Sequence, residues 1–131
     1  MSIFIENPVL PIDDEVGLLY SKIKKDRLSK GKDSQGDISL VFVEKNYMKN
    51  LNLKYREKDK VTDVLTFTLN EDLFEGEIYI CVDVCEEKNL KKWILERVIH
   101  GLLHLDGCHH YSKEEIKKNE ERHDLLLEEI F

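Results

Sequence analysis

The chain has 131 residues and a mass of 15.5 kDa, with 41% apolar and 36% charged residues. A chain of this size buries about two thirds of its unfolded surface, so one compact domain over residues 1–131 is expected; its bounded apolar runs exclude disorder throughout. The net charge of −7 argues against gripping nucleic acid through bulk positive charge, yet residues 22–60 carry twelve basic against six acidic side chains. That surplus is either a solvated face or a local anion-binding face.

The opening MSIFIENPVL has no basic start and an acid at Glu6, so it does not read as a secretory signal. A cytoplasmic location is expected. Ile3 to Glu6 is a short strand, and Asp13 opens an amphipathic helix with Val16, Leu19, Tyr20, Ile23 and Leu28 on its apolar face, ending before Gly31. Asp37 to Glu44 is β-branched and aromatic, and a lysine-bearing helix follows from Lys45 to about Tyr55. Val64 to Leu69 alternates as a strand, and Gly76 leads into Glu77 to Val82, its antiparallel neighbour. Asp83 with Glu86 reads as a capping box opening a long helix toward Gly107. Ser112 with Glu115 opens a last helix whose apolar face carries Ile116, His123, Leu126, Leu127 and Ile130. The order β-α-β-α-β-β-α-α defines an α+β fold, a small mixed β-sheet packed with helices. Between Val98 and Leu105 lie only eight residues without Asp, Glu, Lys or Arg, the longest such stretch. A membrane helix needs about 18 apolar residues. Cys81, Cys85 and Cys108 form no CxxC pair, which fits reduced thiols.

Four of the five histidines fall between His100 and His110, in HGLLHLDGCHH. At about 100° per residue, His100 and His104 lie about 40° apart and about 6 Å along one helix, so both imidazoles can face one ion. Gly107 can adopt the left-handed conformation that ends the helix, returning His110 to the same ion. Three neutral imidazoles suit one Zn²⁺ per chain, with a fourth position left to water, as in catalytic zinc sites. Water so held loses a proton near pH 7, giving a nucleophile without a strong protein base. His109 in place of His110, or Cys108 as a fourth ligand closing the site, are the alternatives; His123 reads as a core histidine or one supporting the site. The spacing is also that of the metzincin peptidases, but Gly101 stands where they carry their glutamate base, and no methionine follows the motif. A peptidase would lack its base.

The run from His100 to His110 resembles the H-G-x-L-H-L-x-G-Y-D-H signature of the YbeY family, bacterial metal-dependent endoribonucleases that act in ribosomal RNA maturation. LNLKYREKDKVTDVLTF, from Leu51 to Phe67, is similar to that family's L-N-x-x-Y-R…D-x-P-T-D-V-L-S-F segment, and Gly76-Glu77-Ile78 to its G-D-I strand entry. The resemblance implies a zincin-like metal-hydrolase architecture, with His100, His104 and His110 as metal ligands and Arg56 as the functionally important arginine. A planar guanidinium can hold a phosphate through two bonds and stabilise charge growing on phosphorus. Without the motif, Arg56 would read as a surface partner of Glu57 or Asp59. Thr62 and Asp63 read as residues that cap and orient the strand carrying Phe67.

The chain departs from the pattern at Cys108 and His109 (Tyr and Asp in the signature), Val61 (Pro), Thr66 (Ser) and Glu77 (Asp). If the signature's Asp supports a histidine ligand, His109 cannot replace it as an anionic acceptor, and Asp106 is the candidate substitute. The expectation is a zinc-dependent endoribonuclease, with Arg56 facing the histidines across a cleft. Segment 22–60 would be its RNA track, drawing on Lys24, Lys25, Lys45, Lys49 and Lys54. The resemblance implies ribosomal RNA as substrate, the 16S 3′ end first, with the ribosome or small-subunit assembly factors as partners and no membrane. A metallopeptidase, and an assembly factor with a structural zinc, are the rival readings.

Overall fold

The structure, a computed structural model, describes residues 2–107 and 113–130. The chain runs β1 (Ile3–Glu6), α1 (Asp13–Ser29), β2 (Ile38–Phe42), α2 (Lys45–Arg56), β3 (Val64–Asn70), β4 (Glu75–Ile80), α3 (Leu90–Leu105) and α4 (Lys113–Ile130). This is the α+β order expected. One sheet has the spatial order β1-β2-β4-β3, with β1, β2 and β4 parallel and β3 antiparallel on the edge.

Strand alternation divides the interior. Ile38, Leu40, Phe42, Ile78 and Ile80 face α1, α3 and α4 in the main core, whereas Leu65 and Cys81 face Met48 of α2 in a smaller one. The two basic helices therefore lie on opposite faces of the sheet, and the charge surplus of segment 22–60 is split between them. Several of its cations are also committed: Lys22 pairs with Glu129 at 2.7 Å, Lys30 with Asp26 at 3.0 Å and Lys49 with Asp59 at 3.5 Å. The segment does not form one continuous track.

Two local expectations are corrected. On α1 the buried stripe continues from Ile23 to Arg27, which is 2% exposed, while Leu28 is 62% exposed. Arg27 can be buried because its donors are met: Nη1 reaches Asp106 at 2.7 Å, Nε reaches Ser34 at 3.0 Å, and Nη2 reaches the Asp33 and Asp72 carbonyls at 2.6 and 3.2 Å. Its guanidinium also lies over the Phe74 ring. Second, Asp83 does not open α3. It sits in a 3-10 turn, Val82–Val84, that cuts β4 short, and its carboxylate accepts from the Lys45 N–H at 3.2 Å, at the start of α2. Asn89 caps α3 instead, accepting from the Lys92 N–H at 3.1 Å. Ser112, the expected cap of α4, lies outside the described residues.

The α3 helix rests on the sheet through Gly101. A Cβ there would stand 2.8–3.0 Å from the Ile78 side chain, so only glycine permits this approach. Among the described residues, no helix is long and apolar enough to cross a membrane.

Candidate active site

The C-terminal half of α3 carries the site. His100 is exposed and His104 half-buried, while the intervening Gly101, Leu102 and Leu103 are buried against the core. The helical period thus turns both imidazoles outward from one face. Both line a cavity of about 350 Å³, closed on its far side by Asn119, Glu120, His123 and Asp124 of α4. His100 also borders a recess of about 250 Å³ with Asp63, Arg97 and His123.

The helix ends as expected. Gly107 has φ +85° and its N–H donates to the His104 carbonyl at 3.0 Å, closing the helix just after the second histidine. His110, the expected third ligand, lies outside the described residues, as do His109 and Cys108. Among the described residues no group of three His, Cys, Asp or Glu side chains could hold a metal. What is described suits one: two imidazoles a helical turn apart on one cavity wall, with a left-handed glycine closing their helix.

Asp106 ties three helices together. Buried, it accepts from Arg27 Nη1 and Arg122 Nη1, both at 2.7 Å, one on each oxygen. Arg122 Nη2 also reaches Asp26 at 3.0 Å. The carboxylate thereby fixes the end of α3 between α1 and α4. Asp63 behaves as the sequence suggested. Oδ1 accepts from the Val64 N–H at 2.8 Å and Oδ2 from Arg97 Nε at 3.1 Å, joining the start of β3 to α3.

Arg56 ends α2, on the other face of the sheet, and is not among the residues lining the histidine cavity. Its guanidinium reaches the edge of β3, where Nη2 donates to the Thr66 carbonyl at 3.0 Å and the group lies 5.0 Å from the Phe67 ring centre. It pairs in this arrangement with the strand edge and an aromatic face, while Asp59 pairs with Lys49. Sequence reasoning missed the α4 wall of the cavity. Asn119, Glu120, His123 and Asp124 fall on one side of a helix at i, i+1, i+4 and i+5, a polar cluster flanking the apolar stripe. His123, read as a core or supporting residue, is part of that wall and sits 3.2 Å from the Glu96 carbonyl.

Fold and candidate site together outline a small α+β protein with two helical histidines on one cavity wall, and the comparisons place it among hydrolytic nucleases. A family model described as endoribonuclease YbeY matches residues 11–130. An endoribonuclease YbeY from Thermotoga neapolitana is 36% identical over 115 residues, covering 82% of this chain and 76% of the relative. One from Staphylococcus saprophyticus is 33% identical over 111 residues, covering 72% of each. A solution structure of a Thermotoga maritima protein superposes with a TM-score of 0.66 at 30% identity, covering 99% of this chain and 89% of that one. The chain belongs to the endoribonuclease YbeY family.

Proposed function

We propose that this protein is a metal-dependent endoribonuclease that cuts single-stranded RNA in ribosomal RNA processing, and that residues 1–131 form the single domain that does so. The observation that carries the reading is the placement of His100 and His104 on one cavity wall in a chain of this family. His100, His104 and His110 would hold one divalent ion, zinc by the preference of three imidazoles, which when bound supplies a Lewis acid and acidifies water. The chain's own residues do the rest. The α3 helix fixes two imidazoles in register, the buried Asp106 pins the helix end, and Arg56, at the β3 edge outside the histidine cavity, offers a guanidinium to a phosphate of the bound RNA. Attack by water and attack by a ribose 2′-hydroxyl both fit these groups. A small-subunit 16S RNA 3′ end is the first substrate to try, with the ribosome or an assembly factor as partner and the cytoplasm as location. A peptidase base at position 101 is not accommodated, because the sheet occupies its space.

The test is cleavage of an RNA with a single-stranded 3′ tail by the protein, His104→Ala and Arg56→Ala, with metal content measured alongside. We expect both variants to lose cleavage, His104→Ala together with its metal and Arg56→Ala with metal retained. Equal cutting by all three, or by none, overturns the reading in favour of an assembly factor with a structural metal.

A further inference from the structure

The face of the sheet opposite the histidines carries a row of four aromatic rings. Tyr55 of α2 meets Phe67 of β3 edge-on at 5.2 Å, Phe67 meets Tyr79 of β4 at 5.8 Å, and Tyr79 stacks with Tyr47 of α2 at 6.4 Å. The inner rings are partly covered; the outer ones, Tyr55 and Tyr47, are 52% and 50% exposed. Half-exposed aromatics supported from behind by other rings are what a nucleobase stacks on.

Charge distinguishes the two ends. At the Tyr55 end, Lys54 lies 5.2 Å from the Tyr55 ring centre and Arg56 lies 5.0 Å from that of Phe67. At the other end the Tyr79 hydroxyl donates to Glu77 at 3.1 Å, and burial, with Glu77 and Glu6 adding to it, raises its phenol to about 12. A polyanion is favoured at the first end and disfavoured at the second. Arg56 further links this end to the sheet edge, because its other contact is the outward Thr66 carbonyl of β3.

We propose that Tyr55, Phe67, Lys54 and Arg56 form a stacking platform for single-stranded RNA. A base lies on the exposed Tyr55 ring, and the flanking phosphates pair with Lys54 and Arg56. The occupant is RNA because the row combines exposed π-faces with two cations that, among the described residues, form no ion pair, in a chain whose relatives are endoribonucleases, and the inference rests on the RNA substrate proposed above. RNA reaching the histidine cavity would have to pass the β3 edge, leaving bases on one side of the cut held by the opposite face of the sheet.

The test is fluorescence anisotropy with a labelled single-stranded 2′-O-methyl oligoribonucleotide, kept intact as checked on a gel, and with its duplex. Tyr55→Ala should weaken single-strand binding about tenfold, with Tyr55→Phe near wild type and the duplex unaffected. Lys54→Ala, an exposed change that folding tolerates, should lower the slope of log affinity against log salt by about one. Tyr47→Ala, at the acidic end, should bind as wild type. Wild-type affinity in Tyr55→Ala with an unchanged slope in Lys54→Ala overturns the platform and leaves the face to a protein partner. Equal losses from Tyr47→Ala and Tyr55→Ala overturn the choice of end. These outcomes are separable from failure of the nuclease reading: a protein that binds through Tyr55 but cuts nothing keeps the platform and loses the enzyme, and one that cuts normally as Tyr55→Ala with undiminished affinity does the reverse.

Discussion

Replacing Arg27 by Met would test how the site is held. Arg27 and Asp106 are 2% and 3% exposed at the side chain, and their 2.7 Å contact joins the ends of α1 and α3. Methionine keeps the apolar stem and removes the charge. Breaking one side of a buried ion pair costs about 3–5 kcal/mol because the remaining charge is left without its partner. Asp106 keeps Arg122, so the lower end applies, about 3 kcal/mol against a total of about 5–15. With a urea dependence of about 1.5 kcal/mol/M, the unfolding midpoint should fall by about 2 M at unchanged slope. Arg122→Met should cost less, because that side chain is 24% exposed and water can take its place. A midpoint shift for Arg27→Met below about 0.5 M would refute the reasoning, since desolvation of the pair would then cancel its attraction.

Gly101→Ala should destabilise by about 1–3 kcal/mol, and Ile78→Val made beside it should restore part of the loss by withdrawing the methyl that the new Cβ meets; urea midpoints of the three variants check this. The Tyr79 phenol is pushed up to about 12 by burial and by Glu77, and burial raises that of Tyr20 as well, so in an ultraviolet titration Tyr79→Phe should remove part of the late-ionising signal. Because the folded state holds the Tyr79 proton above its unfolded value of about 10, the associated stability is complete below pH 10 and lost as pH rises toward 12. Tyr79→Phe should flatten the fall in urea midpoint between pH 9 and pH 11 relative to wild type. Removing metal with a chelator should lower the melting temperature of the wild type and leave that of His100→Ala unchanged, as expected when binding to the folded form adds to its stability; equal shifts in both would separate His100 from the metal.

Much of the fold was legible because its elements follow simple periods. The α3 run from Trp93 to Leu105 keeps its apolar face at helical spacing, and Gly107 ends it with the positive φ that the sequence suggested. What sequence did not disclose depended on partners distant along the chain. Arg27 looks like one more surface cation until Asp106, 79 residues away, is seen to meet it. Asp83 has the pattern of a cap for its own helix, but the N–H it accepts belongs to Lys45. The two helical histidines could be paired from spacing alone. The α4 wall that closes their cavity could not, because nothing local to Glu120 or Asp124 says which helix they will face.

The outer edge of β3 has a further consequence. An edge strand offers unpaired backbone groups to any other strand that comes near, including one from a second copy of the chain. Here the Val64 N–H is taken by the Asp63 carboxylate and the Thr66 carbonyl by Arg56. The arginine expected to handle phosphate therefore also covers a backbone acceptor that a second strand would use. Its loss would uncover an acceptor on a strand whose Leu69 is 63% exposed. An Arg56 variant that precipitates or dimerises would report the uncovered edge, so the size of the variant in solution should be measured before its activity is compared.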